Sequence, residues 1–426
     1  MENANSNGGS LQTATAELSP TLRLRLAAMM LLQYAIWGAW APILGLHLAS
    51  LEAFQMADGA TNFGRIGLVY MTMPIASIIA PFIGGQIADR YFAAQRFLGV
   101  SQILGGVVLL AVTEMTTFSG VFVGMLVYNL LYAPTIALSN SITFQHWPNE
   151  QFSKIRVFGS IGWVLIGWVF TVWMTRVGHL FVTPSMSHLL YFAAVLSFGY
   201  GVYAMTLPHT PPSKQAANPL AFLDAVAMLR NRAFAVMALV SFVVSIDMQL
   251  YFVWTQAFLS SDKVGIAEGW VSTVLTAGQV CEMVMMVLLP VVLLKYGFRA
   301  TMALGIAAWG LRDLIFAIGE PTGLVVGGVA LHGVGFAFFF TAIFMFADAI
   351  APKDIKSSAQ GFLASVTIGC GMLAGSLLAG PISSAFDGNW RQIYLVPAIL
   401  LAACCIVFLI GFKPEEKEAA DTAAPV

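Results

Sequence analysis

Apolar residues run through this chain in long blocks separated by short polar stretches. A helix needs about 20 apolar residues to cross a hydrocarbon core. Blocks of that kind fall at 24–49, 64–88, 94–114, 118–144, 155–177 and 187–207, and again at 233–260, 269–294, 299–319, 323–350, 358–385 and 391–412. The pattern predicts an all-α integral membrane protein with twelve transmembrane helices in two six-helix bundles. Between the two sixes stands the longest polar connection, "PHTPPSKQAANPLAFLDAVAMLRNRAF". It closes on a short amphipathic piece with Leu220, Leu223, Ala227 and Arg230 at helical spacing. The expected organisation is a disordered N-terminal tail at 1–21, a first bundle at 22–207, a cytoplasmic linker at 208–232, a second bundle at 233–412 and a cytoplasmic tail at 413–426.

Composition narrows the function classes. The chain is 58% hydrophobic and only 10% charged, where a soluble domain carries about 25% charge. A net charge of -1 leaves no basic stripe to neutralise phosphates, so nucleic acid drops out as a partner. The opening "MENANSNGGSLQTATAELSP" is polar and lacks aromatics, as a disordered segment does. The first apolar block is too long for a signal-peptide core and should remain as a span. The cysteines Cys281, Cys370, Cys404 and Cys405 lie inside apolar runs without metal-ligand spacing, and are expected to be small buried hydrophobes.

Loop charge sets the orientation, because short cytoplasmic loops hold the excess of Lys and Arg. With both termini cytoplasmic, fifteen of these residues fall on that side, against four (Arg65, Arg176, Lys263 and Arg391) opposite. The expected location is therefore a cell membrane, the inner one in a bacterium.

Polar groups inside spans are costly, about 2.5–3.5 kcal/mol for a charge at a helix centre on insertion scales, so each is a functional candidate. The seventh span offers Asp247 and Gln249, the eighth Gln279 and Glu282, the ninth Arg312 and Asp313. Gln279 and Glu282 are three apart and project from one helix face. Asp247 and Glu282 both stand near mid-span, where they are expected to line one cavity. An amide offers two donors and an acceptor while a carboxylate only accepts, which suits a neutral ligand rich in hydroxyls and ring nitrogens. A carboxyl in an apolar cavity has its neutral form favoured, so it can take a proton from one side and give it to the other. Glu282 and then Asp247 are the candidates for that role. The alternative for each is a helix–helix hydrogen bond. Arg312 and Asp313, about a hundred degrees apart on their helix, are expected to face different ways and to form ion pairs with other helices. His332 is expected to be a satisfied interhelical histidine. No metal spacing, nucleophile elbow or phosphate loop is present, so an enzyme is not expected and neither is a cofactor or metal.

Several stretches carry a resemblance. The loop "GGQIADRYFAAQR", with Gly85, Asp89, Arg90 and Arg96 and an echo at Lys295, Gly297 and Arg299, resembles the loop signature of the major facilitator superfamily. "LLQYAIWGAW", "YAPTIALSNSITF", "IRVFGSIGW", "GQVCE", "WGLRDLIFAIG" and "SSAQGF" resemble that superfamily's nucleoside:proton symporter family, over about 22–412. The resemblance implies two bundles that rock around a midplane site, with a nucleoside-like small molecule and protons as partners, in a monomer within the bilayer. It also implies that Arg156, Ser160, Trp163, Gln249, Gln279, Glu282 and Phe336 bind the ligand. Two positions depart from the family pattern: Phe252, at a binding position, stands where some members have Asn, and Ala337 stands where the family has an acid. The alternative function is carriage of another hydroxylated small molecule, such as a sugar, without strict proton coupling.

Overall fold

The computed structural model describes residues 19–83, 91–148, 151–211, 221–352 and 355–413. Most of the expected N-terminal tail, the loop residues Gly85, Asp89 and Arg90, the linker cation Lys214, Lys353, and the tail beyond Lys413 lie outside them.

The described residues fold into helices, as a lipid environment demands when every backbone polar group must be satisfied within its own segment. The first half contains α1 (Pro20–Ala49), α2 (Phe63–Ile83), α3 (Ala94–Thr113), α4 (Phe118–His146), α5 (Phe152–Val172) and α6 (His188–Ala204). The second begins with α7 (Arg232–Ser260). The helix Glu268–Ile318 then bends at Gly297, whose φ of 70° and ψ of 173° leave the helical region. A left-handed φ costs glycine little and other residues much, so the chain turns here into two arms, α8 (268–296) and α9 (298–318). The last three are α10 (Thr322–Ile350), α11 (Ser358–Ala385) and α12 (Trp390–Gly411).

Ten helices among the described residues are long and apolar enough to cross a membrane, with α8 and α9 counted as one, and α6 is a shorter apolar helix. Taken with the bend at Gly297, these helices follow the order of the expected apolar blocks. At 17 residues α6 is the short one. Large apolar side chains face outward where lipid would be: Val195, Val287 and Ile399 are 67%, 76% and 67% exposed.

Each six packs on itself, α1 against α5 and α6, α3 against α4 and α6, α8 and α9 against α10 and α12. The sixes meet along two seams, α2 with α11 and α5 with α8. Both seams make close contacts away from the face bearing the chain termini. Gly64 and Gly67, at the start of α2, lie against Gly380 and the Ser376 carbonyl near the end of α11. On the other seam Trp168 Nε1 donates to Thr276 Oγ1 at 2.9 Å.

The segment Ala221–Arg230 is helical, and its Ala225 packs with Ala351 and Ala359 near the start of α11. The cysteines differ from expectation. Only Cys404 is buried, Cys281 and Cys405 are half-buried, and Cys370 is exposed. A thiol on a lipid-facing surface meets an apolar solvent, so burial in protein is not required there.

Candidate functional site

The site is built where α1, α4 and α5 of one bundle face α7, α8 and α10 of the other. On the first side, the Arg156 guanidinium carbon lies over the Tyr34 ring, 3.9 Å from its centroid. Stacking of this kind holds a cation without neutralising it. Gly159, one turn further along α5, leaves the room in which both groups sit. Trp37 meets Trp163 edge-on at 5.5 Å and Tyr132 at 6.4 Å. Behind this aromatic wall Gln33 donates to Thr135 at 3.0 Å, and the Tyr132 hydroxyl donates to the Gln33 carbonyl at 2.5 Å. The Gln33 side-chain oxygen is buried without a partner.

The second side is carried by α8. Gln279 and Glu282 sit three residues apart and are both half-buried. The Gln279 oxygen is buried without a hydrogen-bond partner, an arrangement that leaves an acceptor free for a ligand. Glu282 has no ion-pair partner among the described residues; the cation it feels is Arg156 across the seam. Its backbone is fixed by a close crossing. A Cβ on Gly333 of α10 would stand 2.2 Å from the Glu282 nitrogen and 2.3 Å from the Gly278 carbonyl, so only glycine permits this approach.

A cavity of about 10 Å³ separates the two sides, lined by Pro42 and Trp163 from the first bundle and by Phe252, Thr255, Gln256 and Gln279 from the second. Such a volume is at the threshold for one water, so the two sides lie close together here. Phe336 opens a π-helical turn over Phe336–Thr341, a local widening common at functional positions. Ala337, in that turn, is fully buried against Leu289 and Phe338.

Of the nine expected site residues, Arg156, Ser160, Trp163, Phe252, Gln279, Glu282 and Phe336 are half-buried, whereas Gln249 and Asp247 are 1% exposed. Gln249 donates to Ser376 of α11 at 2.8 Å. Asp247 does not share a cavity with Glu282: both of its oxygens accept from Arg312, at 2.8 and 3.0 Å. The physical reason is a buried cation that the sequence places two helices away. Arg312 and Asp313 are also not separated as expected, since Arg312 Nε donates to Asp313 at 2.9 Å. A side chain as long as arginine's reaches round the helix to its neighbour. His332 completes the group as the expected interhelical residue, 3.3 Å from Arg312 and stacked on Tyr251 at 4.7 Å.

Tyr34 and Gln256 are missed by sequence reasoning. Tyr34 follows Gln33 in an otherwise apolar first span, and Gln256 stands seven residues, two turns, after Gln249 on the same face of α7. Those spacings are the signal that would have found them.

Residues 21–417 match the family described as Nucleoside H+ symporter. The xanthosine permease of Escherichia coli (strain K12) is 31% identical over 417 residues, covering 92% of this chain and 96% of the relative. The nucleoside permease NupG of the same organism is 28% identical over 416 residues, with 92% and 96% covered. The crystal structure of nucleoside transporter NupG superposes with a TM-score of 0.79 at 26% identity, over 92% of this chain and 100% of that one. That of a D-xylose-proton symporter, at 12% identity, superposes with a TM-score of 0.72 over 94% and 99%, a likeness of fold alone. With two six-helix bundles, a polar seam between them and a match along nearly its whole length, the chain belongs to the nucleoside H+ symporter family.

Proposed function

We infer that this protein takes up nucleosides with protons by alternating access, and that the ligand is held between the Arg156–Tyr34–Trp163 wall and the Gln279–Glu282 face. The observation that carries the reading is the free side-chain oxygen of Gln279, beside an unpaired Glu282 and across from a stacked Arg156. A ribose and a heterocyclic base present hydroxyls, ring nitrogens and a flat face. Amide, carboxylate and guanidinium match the first two, and the indole of Trp163 matches the third.

Glu282 is the proton-coupling residue of this reading, because it is the site carboxyl to which no cation among the described residues is bonded. Asp247 holds Arg312 instead, and serves the packing of α7 against α9. The family membership and the relatives' names, a xanthosine permease and a nucleoside permease, support nucleosides over sugars. Fully buried Ala337 supplies no acceptor, so the ribose hydroxyls depend on Gln279 and Glu282. The excess of loop cations supports cytoplasmic termini, with the protein in the inner membrane of a bacterial cell.

The test is thermal stability of the purified protein against a panel of nucleosides, free bases and sugars, since a ligand that binds only the folded state raises apparent stability. Nucleosides are expected to raise the midpoint and sugars to leave it unchanged. Stabilisation by sugars but not by any nucleoside overturns the assignment.

A further inference from the structure

On the face opposite the termini, one side chain of the second bundle reaches into the first. Gln256 of α7 is 1% exposed. Its Nε2 donates to the Tyr70 hydroxyl of α2 at 2.8 Å, and its Oε1 accepts from the Leu46 backbone N–H of α1 at 3.3 Å. Tyr70 has already changed α1. In a regular helix the Gly45 N–H would donate to the Ala41 carbonyl. Here the Tyr70 hydroxyl is inserted between them, accepting from Gly45 at 3.3 Å and donating to Ala41 at 2.7 Å. A side chain inserted into the ladder in this way bends a helix. The helical ladder of α1 is indeed interrupted between Trp40 and Leu44, beside Pro42. The break exposes backbone groups on which the second bundle can dock.

Gln256 also stands between two spaces. It lines the small cavity with Trp163 and Gln279. Immediately beyond it lies a vestibule of about 710 Å³, lined by Leu46 and Asp58 from the first bundle and by Ala257, Ser260 and Asp387 from the second. The next residue in the chain, Ala257, already faces that vestibule. Gln256 thus lines the small cavity, while Leu46, whose N–H it accepts from, and Ala257, its chain neighbour, line the larger space.

We propose that Gln256, docked on the Tyr70-bridged break of α1, is the latch that closes the substrate site on the side away from the termini. Its bonds join neutral partners, so water can replace each of them when the bundles part. A buried ion pair in the same place would resist that exchange, because opening would strand charges. The seams along α2–α11 and α5–α8 bring the bundles together at this end, and the latch fixes the closed register at the point where substrate passes. The proposal rests on the alternating-access reading but needs no particular substrate.

The test is a distance measurement by electron paramagnetic resonance, with spin labels at Asp58→Cys and Asp387→Cys, which face each other across the vestibule from opposite bundles. The background is the full chain with its four native cysteines replaced. Gln256→Leu and Tyr70→Phe are each expected to raise the population of long distances at least three-fold without added ligand. Tyr70→Phe keeps the ring and removes only the hydroxyl, so it reads the latch even where Gln256→Leu folds poorly. Unchanged distances in a folded Tyr70→Phe protein overturn the proposal, as does a loss of thermal stability in both variants with the distance distribution unmoved. Because no nucleoside enters the measurement, its failure is separate from failure of the substrate assignment.

Discussion

A single nitrogen of Arg312 bonds both carboxylate oxygens of Asp247, at 2.8 and 3.0 Å, and ties α9 to α7 inside the second bundle. The same guanidinium bonds Asp313 at 2.9 Å and lies over the Tyr251 ring at 4.5 Å. The three side chains are buried, two carboxyl groups around one guanidinium.

This imbalance makes the cost of substitution asymmetric. Arg312→Met strands both carboxyls, and removing one partner of a buried pair costs about 3–5 kcal/mol. Asp247→Asn leaves a one-to-one pair between Arg312 and Asp313, so its cost is expected to be less than half of that. Thermal unfolding in detergent, compared at one scan rate, checks the order. A variant Asp247→Asn that melts as low as Arg312→Met would mean that the charge count does not govern this cluster.

Glu282 is expected to behave differently, because no cation among the described residues bonds it. Glu282→Gln keeps the size of the side chain and removes its titration. In proteoliposomes with an imposed pH gradient, the variant should fail to accumulate nucleoside above equilibrium while still exchanging labelled for unlabelled ligand between loaded vesicles. Uphill accumulation by Glu282→Gln at the wild-type ratio would remove this residue from the coupling role.

Arg156 owes its position to the Tyr34 face. Arg156→Lys keeps the charge but loses the planar stack, and Tyr34→Leu removes the surface beneath it. A cation–π contact is worth about 0.5–2 kcal/mol, which corresponds to a rise in KM of roughly 2- to 30-fold. Both variants should show that rise with a smaller change in maximal rate. Wild-type KM in both would place the ligand elsewhere.

The spans were legible because hydropathy needs only a run of apolar residues. Gln279 and Glu282 stand out in the sequence because polar groups in such a run are costly. Pairing between helices was not. Asp247 and Glu282 stand at similar depths, yet depth does not say that Arg312 of α9 turns towards α7. The Tyr70 hydroxyl in the ladder of α1 was equally hidden, because nothing in "GLVYMTM" distinguishes a tyrosine that replaces a backbone bond from one that packs. Gln256 carries no sign of this role in the sequence, because its importance depends on the break in α1 that it meets. Periodicity reports which face a residue is on; partners across a seam require coordinates.

The crossing of α10 over α8 supplies the sharpest test of how the site is held. A methyl group on Gly333 would stand 2.2 Å from the Glu282 nitrogen and 2.3 Å from the Gly278 carbonyl, far inside contact distance and against backbone that cannot rotate away. The same Cβ would stand 2.8 Å from the Cys281 carbonyl carbon, so Gly333→Ala must push the helices apart by about 1 Å, since carbon–carbon contacts relax only near 3.5–4.0 Å. That shift moves Glu282 and Gln279 together away from the Arg156 wall. Displacements of this size at a binding geometry can cost about 100-fold in rate, so uptake is expected to fall by one to two orders of magnitude. A matched control is available in α6, where a Cβ on Gly199 meets nothing within 4 Å. Gly199→Ala should transport normally and melt no lower than the parent, because replacing glycine inside a helix gains about 0.5–1 kcal/mol. The pair is measured by initial uptake rates normalised to protein in the membrane. Equal rates for the two variants would show that the close approach at Gly333 serves packing alone, and that the position of Glu282 tolerates a movement of α8.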